Sequence, residues 1–407
     1  MRPWLRTFAV LAVGPPLLAG GAGHDNGAGG PAGGPEWEVE RDLVIGSSDD
    51  PTTVLHQVAD IVLDREGRIL ILETGEARVR TYDRDGALVE EIGGRGEGPG
   101  EFTRPGRLGW RADTLWVSDG PQHRLTLIPD GEPPVTISFA TSVPGSAAFG
   151  VLQPGHLLDD GSVLASPSVS VAMAVQEGLD SIPWVQTSRD GTIARTLLWS
   201  QRVRSITRVD DALGPGSVMH FRRPFSETDA IGVDPMGRTV VRASWEPGEC
   251  RSESVTVQLT QFEADREFRP RAAEIDLASH PLDDNQIDIV VDSIVMNLEI
   301  TAMRESGRTF APQPARDRIR AALDPPSCLP PVTDVLVDRR GTVWLRGHEV
   351  DEPTLRWTAV DHEGRIEGFV EMPPAVDLMM ADKDRLYGVE TDELGVERVV
   401  GYAVHRR

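Results

Sequence analysis

One phrase recurs six times in this chain, with its spacing stretched and its chemistry kept. It reads IVLDREGRILIL at 61–72, WRADTLWVSD at 110–119 and LLDDGSVLAS at 157–166. It returns as IGVDPMGRTVVR at 231–242, VLVDRRGTVWLR at 335–346 and LMMADKDRLYGV at 378–389. Each copy is a β-rich run, a polar turn carrying Asp and usually Gly, and a second β-rich run, which is the signature of a hairpin. A hairpin repeated along a chain predicts an array of sheet units rather than one sheet. Antiparallel units in series, with no long helix between most of them, point to a β-propeller, in which radial closure protects the sheet edges.

The remainder of each unit agrees. Second pairs of β-rich runs follow at 79–92, 125–137, 184–197 and 357–370, with a variant at 255–275 that turns on Asp265 without Gly. The sixth unit has only a third run, GVERVVGYAV at 395–404, before the chain ends. EWEVERDLVI at 36–45 has strand-like content and no neighbouring partner, so it is expected to supply the missing fourth strand and close the ring. The expected fold is therefore all-β: six four-stranded antiparallel blades, closed by an N-terminal strand. Six blades of roughly 40 to 50 residues use the length of the chain.

The segment IGGRGEGPGEFTRPGRLGWRADTLWVSDGPQHRLTLI at 92–128 resembles exported bacterial six-bladed propellers related to NHL repeats, within the TolB-like propeller superfamily. The resemblance is carried by Gly98, Pro99, Gly100, Glu101, Phe102 and Pro105, and extends over roughly 36–407. It implies the fold. It leaves activity open, because such propellers include lactonases, an amidating lyase and sensor modules.

Residues 1–22 read as a signal peptide. Arg2 and Arg6 precede the apolar stretch 8–20, and the small residues Gly20, Gly21 and Ala22 allow cleavage. Gly21 stands where a lipid-anchored relative would carry Cys. Residues 23–35 form a Gly-rich linker, followed by the propeller at 36–407, and the mature chain is expected in the periplasm or outside the cell, without a stable membrane span. A net charge of −23 disfavours nucleic acid as a partner, since phosphate neutralisation needs Lys and Arg. In an oxidising compartment the only two cysteines, Cys250 and Cys328, are expected to form one disulfide.

Residues 282–323 break the β pattern between the fourth and fifth units. Ile287, Val290, Val291, Ile294, Val295 and Leu298 recur at helical spacing, with Asp283 or Asp284 as N-cap, and ARDRIRAAL at 315–323 gives a second, shorter helix. This insertion is expected either to pack on the rim of the fourth or fifth blade or to lie over one face.

Ligand chemistry is expected at the channel mouth, where the innermost strands begin. Reading back from the hairpins places Asp60, Arg104, Arg107, Asp229, Asp334 and Asp377 there, with His156 close by. Carboxylates gathered in a ring suit a hard cation such as Ca²⁺, with Asp60 and Asp334 the candidate ligands, whereas Arg104 or Arg107 as counter-charge gives an ion-pair network instead. His56, His156, His220 and His348 lack zinc-ligand spacing, and no Gly-x-Ser-x-Gly elbow or dinucleotide fingerprint is present. Two function classes follow: a non-catalytic binding or scaffolding propeller for a protein, peptide or glycan, or a lactonase-like metal-dependent hydrolase or lyase with its site at the mouth.

Overall fold

The computed structural model describes residues 34–47, 53–201, 206–211, 216–222, 224–225, 229–246, 253–263, 269–306, 312–348 and 354–406. Six four-stranded antiparallel sheets form the blades of a six-bladed β-propeller. Blade 1 comprises Val58–Leu63, Ile69–Glu73, Arg78–Tyr82 and Leu88–Gly93, and blade 2 Arg107–Arg111, Thr114–Asp119, Arg124–Pro129 and Val135–Ser138. Blade 3 comprises Phe149–Leu157, Val163–Val169, Ile182–Thr187 and Ile193–Ser200, and blade 4 Asp229–Val233, Thr239–Ser244, Ser254–Glu263 and Pro270–Ala278. Asp334–Val337, Val343–Arg346, Leu355–Val360 and Ile366–Met372 make blade 5. Blade 6 is Val376–Asp382, Arg385–Thr391 and Glu397–His405, completed by Glu38–Ile45 from the start of the chain. The six repeated phrases are the innermost hairpins, as expected.

The repeated Asp–x–x–Gly has a mechanical reason. In the inner hairpin of blade 5, Asp338 Oδ1 accepts the amides of Arg340 at 2.8 Å and Thr342 at 2.9 Å, and Gly341 takes φ +88°. Asp64 and Gly67 (φ +78°) repeat this in blade 1, and Asp361 and Gly364 (φ +84°) in the outer hairpin of blade 5. The carboxylate satisfies the turn amides while glycine supplies the left-handed step that joins the two strands. These carboxylates are structural.

The core lies in the seams between blades. Leu70, Leu72 and Val79 of blade 1 pack on Leu108, Leu115 and Val117 of blade 2, and Ala230, Val241 and Leu259 of blade 4 pack on Val335, Val343 and Leu345 of blade 5. Leu43 and Ile45 of the N-terminal strand reach the seam between blades 6 and 1. Each fully buried aliphatic side chain contributes about 1.5–3 kcal/mol. The chain just before that strand also grips blade 5: Trp37 N donates to Phe369 O at 2.8 Å and Phe369 N to Pro35 O at 3.0 Å. Gly368 leaves the space for this, since a Cβ there would lie 2.3 Å from the Trp37 ring.

The helical insertion lies between blades 4 and 5 as expected, but it does not pack on a blade rim. Its helices run Asp284–Ser306 and Pro312–Leu323, the first opened by a capping box in which Asp283 Oδ1 accepts from Gln286 N at 2.7 Å and Gln286 Oε1 from Asp283 N at 3.1 Å. Val290, Val291, Ile294 and Val295 face Ile319 and Leu323, but the third wall is neither blade rim. It is a hairpin, Ile206–Asp210 with Val218–Arg222, inserted between blades 3 and 4 and contributing Val209 and Met219. Sequence reading missed this strand pair. Its runs are short, and their apolar partners lie in another insertion roughly 80 residues downstream along the sequence. Both insertions leave an outermost strand and return to an innermost one, so both emerge on the face where the inner strands begin.

Candidate ligand site at the channel mouth

Because every innermost strand runs from the mouth toward its Asp turn, first residues of those strands ring one opening. Arg107 and Asp334 are the first residues of the innermost strands of blades 2 and 5, and Asp377 is the second of blade 6. Asp60 is the third residue of blade 1.

Asp60 is buried at 6% exposure and both its oxygens are engaged, Oδ1 by Ile61 N at 3.0 Å and Oδ2 by Leu108 N at 3.1 Å. The second bond locks blade 1 to blade 2. Burial raises its pKa, partly opposed by Arg107 and by these amides. Arg107 Nη1 lies 3.9 Å from Asp60 Oδ1, an ion pair without hydrogen-bond geometry, and the arginine side chain is 55% exposed. Among the described residues no hydrogen bond engages the Arg107 guanidinium. Asp334 accepts Val335 N at 2.8 Å on Oδ1, leaving Oδ2 without a hydrogen-bond partner among the described residues. Burial raises its pKa too, with Arg346 and Arg107 opposing and Asp377 reinforcing the shift. Exposed Asp377 is held by Arg346 Nη1 at 2.9 Å.

The mouth therefore carries two arginine–carboxylate ion pairs, Asp60–Arg107 and Arg346–Asp377, with Asp334 within the electrostatic influence of both arginines, and the arginine counter-charge is Arg107 rather than Arg104. Arg104 precedes the strand, its side chain exposed and its amide held by Asp119 at 3.2 Å. The same buried carboxylate accepts Thr103 N at 2.8 Å and Arg124 Nη2 at 3.2 Å, which anchors the Gly-Pro-Gly-Glu-Phe loop. Within that loop Glu101 Oε2 accepts Gly98 N at 2.9 Å and Phe102 is fully buried.

Asp229 does not face the opening. Its oxygens turn into the seam with blade 3, accepting from Ser200 Oγ at 3.0 Å and Gln201 N at 3.0 Å, with Arg242 Nε at 3.3 Å. It lies five residues before its turn Asp234, whereas Asp60 and Asp334 lie four before Asp64 and Asp338. One residue of register swaps the face of a strand side chain.

The sequence reading puts His156 at the start of its innermost strand, whereas the structure places it near the end of that strand. The innermost strand of blade 3 begins at Phe149, well before the expected start, and is bulged between Pro154 and His156. Pro154 O accepts from Ser118 Oγ at 2.5 Å near the mouth, so His156 sits deeper, its ring edge-on to Trp116 at 5.7 Å. It is part-buried, and the surrounding protein and then Arg107 push its pKa down to about 3. His348, in contact with Phe225 at 6.1 Å where the inserted hairpin meets blade 5, is pushed down to about 4, by burial first and then by Arg346 and His280. His56 contributes only its backbone amide to Glu73 at 2.8 Å, and His220 lies on the inserted hairpin. At the far end of the channel the Arg339 side chain of blade 5 donates to Leu63 O of blade 1 and lies 3.7 Å from Asp382 of blade 6.

Among the described residues no group of three or more His, Cys, Asp or Glu side chains is placed to hold a metal ion. Asp60 and Asp334 fit Ca²⁺ poorly, since three of their four oxygens already accept backbone amides and the nearest counter-charges are guanidinium groups. Cys328 is buried beside Ser279, with Sγ 3.6 Å from its Oγ, and its expected partner Cys250 lies outside the described residues. So do residues 1–33, which include the expected signal peptide and most of the linker. Among the described residues no helix is long and apolar enough to cross a membrane.

No family model matches the chain, and no curated protein matches it by sequence. Solved structures with a similar overall fold include a virginiamycin B lyase from Staphylococcus aureus, catalytically inactive and with quinupristin, at 10% identity over 90% of this chain and 99% of that one, TM-score 0.39. Regucalcin, a calcium-binding protein from Agrobacterium tumefaciens, is 10% identical over 90% and 96% of the two chains, TM-score 0.42. The PQQ-bound aldose sugar dehydrogenase from Streptomyces coelicolor is 12% identical over 92% and 100%, TM-score 0.41. The propeller assignment itself rests on the sheet topology.

Proposed function

We propose that this protein is an exported, non-catalytic binding propeller that recognises its ligand on the mouth face of the disc. The observation that carries the reading is the half-exposed Arg107 guanidinium, which stands at the opening without a hydrogen bond among the described residues. Around it the carboxylates of Asp60 and Asp377 are fixed by backbone or arginine partners, which suits recognition by a pre-ordered surface. An arginine fork between fixed carboxylates binds and orients; it does not by itself make a nucleophile–base pair. The inserted hairpin and helices, which emerge on the same face, extend the surface a ligand would meet. Export follows from the expected signal peptide at 1–22.

The test is a thermal-shift screen of amino acids, organic acids, oligosaccharides and short peptides, each hit mapped by hydrogen exchange. Hits are expected to protect 104–108 and 333–336 at the mouth. Protection confined to the opposite turns, 64–67 and 338–341, would sink the reading.

A further inference from the structure

We infer that the channel mouth takes a small amphoteric ligand, a carboxylate that carries an ammonium or hydroxyl donor close beside it, with the carboxylate on Arg107 and the donor on Asp334. This rests on the mouth face being the recognition surface and names the chemical class it would select.

Two groups at the mouth have unused hydrogen-bonding capacity. Arg107 offers a planar fork that matches a carboxylate bidentately, and its nearest protein carboxylate, Asp60, stands at 3.9 Å with both oxygens committed to the amides of Ile61 and Leu108. Asp60 therefore attracts Arg107 without satisfying it. Asp334 is the complementary half-used group, with Oδ1 on Val335 N and Oδ2 lacking a hydrogen-bond partner among the described residues. Both are first residues of innermost strands and face the same opening from blades 2 and 5. Arg107 is also close enough to influence the titration of Asp334.

Charge arithmetic then selects the class. A bare anion on Arg107 would meet the like charges of Asp60, Asp334 and Asp377, which repel it more strongly here than in bulk water. A bare cation on Asp334 would meet Arg107 and Arg346 in the same way. A ligand with both functions places each against its opposite, so the mouth discriminates for the pair over either half. Arg339 ties blade 5 to blade 1 at the far end of the channel, opposite the mouth.

The experiment titrates the mature protein with L-alanine, L-lactate, acetate, inorganic phosphate and methylammonium by calorimetry, and repeats it with Arg107→Ala and Asp334→Asn. L-Alanine or L-lactate is expected to bind about tenfold or more tightly than acetate, the worth of one charge-assisted hydrogen bond. Arg107→Ala should abolish carboxylate binding with the ligand-free Tm unchanged, and Asp334→Asn should bring L-alanine down to the level of acetate. Preference for phosphate or methylammonium, no binding by either amphoteric probe, or binding that survives Arg107→Ala overturns the inference. Screening hits that protect 104–108 and 333–336 yet ignore Arg107→Ala overturn this ligand class and leave the mouth-face reading standing. Hits that protect only 64–67 and 338–341 overturn both.

Discussion

The two faces of the disc use the same residue types to opposite ends. On the turn face, Asp64, Asp338 and Asp361 spend an oxygen on two amides of their own turns, and the geometry is completed by glycine. On the mouth face, Asp60 binds across to the next blade, Asp334 keeps one oxygen in hand and the Arg107 guanidinium has no hydrogen bond among the described residues. One face repeats the same local turn; the other is assembled from residues of different blades. Every insertion longer than a turn that joins one blade to the next also emerges on the mouth face.

The largest expected effect concerns the two cysteines. If Cys250 and Cys328 pair, the bridge closes a loop of roughly 80 residues and contributes on the order of 4 kcal/mol in the chain-entropy model. Reduction should lower the Tm, and denatured protein recovered from an oxidising compartment should show no thiol before reduction. Two titratable thiols would remove the staple from the comparison.

Next is a turn carboxylate. Asp338→Ala leaves two amides of a buried turn without their acceptor and should cost about 2–4 kcal/mol by denaturant unfolding, with ligand binding at the mouth unchanged. A cost below about 0.5 kcal/mol would mean the turn face is not the stabilising one.

Acid separates the faces further. His156 and His348 are held neutral in the folded state, with pKa values pushed down to about 3 and about 4. Between the ordinary histidine range, near 6.5, and those values the unfolded chain takes up protons that the folded chain refuses, so stability falls as pH falls through this window. Each histidine contributes a slope of up to about 1.4 kcal/mol per pH unit. Asp60 and Asp334 work against it: their raised pKa values mean the fold gains stability as they protonate. Turn-face Asp361 and Asp190, lowered mainly by hydrogen bonds to turn amides or side chains, lose stabilisation as pH drops through the carboxylate range. His156→Gln should flatten the decline measured from pH 6.5 to pH 4. An unchanged profile would place that limb elsewhere.

The smallest stability effect is expected at the most informative residue. Arg107→Ala should move the unfolding free energy by less than about 0.5 kcal/mol, since a long, half-exposed ion pair contributes little. A larger loss would make Arg107 a structural brace and erase the contrast between the faces.

The sequence carried the fold because each blade announces itself within about a dozen residues: two β-rich runs around a polar Asp turn, usually with Gly, are local physics. The closing strand was legible for the complementary reason, a run at 36–45 with no neighbour to pair with and a blade at 395–404 lacking its edge. Asp60, Asp334 and Arg107 could be assigned to the mouth by counting back from turns, because the count survives wherever the strand is regular. It failed at Asp229, displaced by one residue, and at His156, beyond a bulge, because register errors and bulges leave no mark on composition. The inserted hairpin was hidden because its apolar partners lie in another insertion. Sequence alone therefore determined the repeat, the turn chemistry and the ring closure. Which carboxylate bonds to the neighbouring blade, which turns into a seam and which arginine is left with donors to spare were decided only when six blades met around one axis, since those are contacts between residues far apart in the chain.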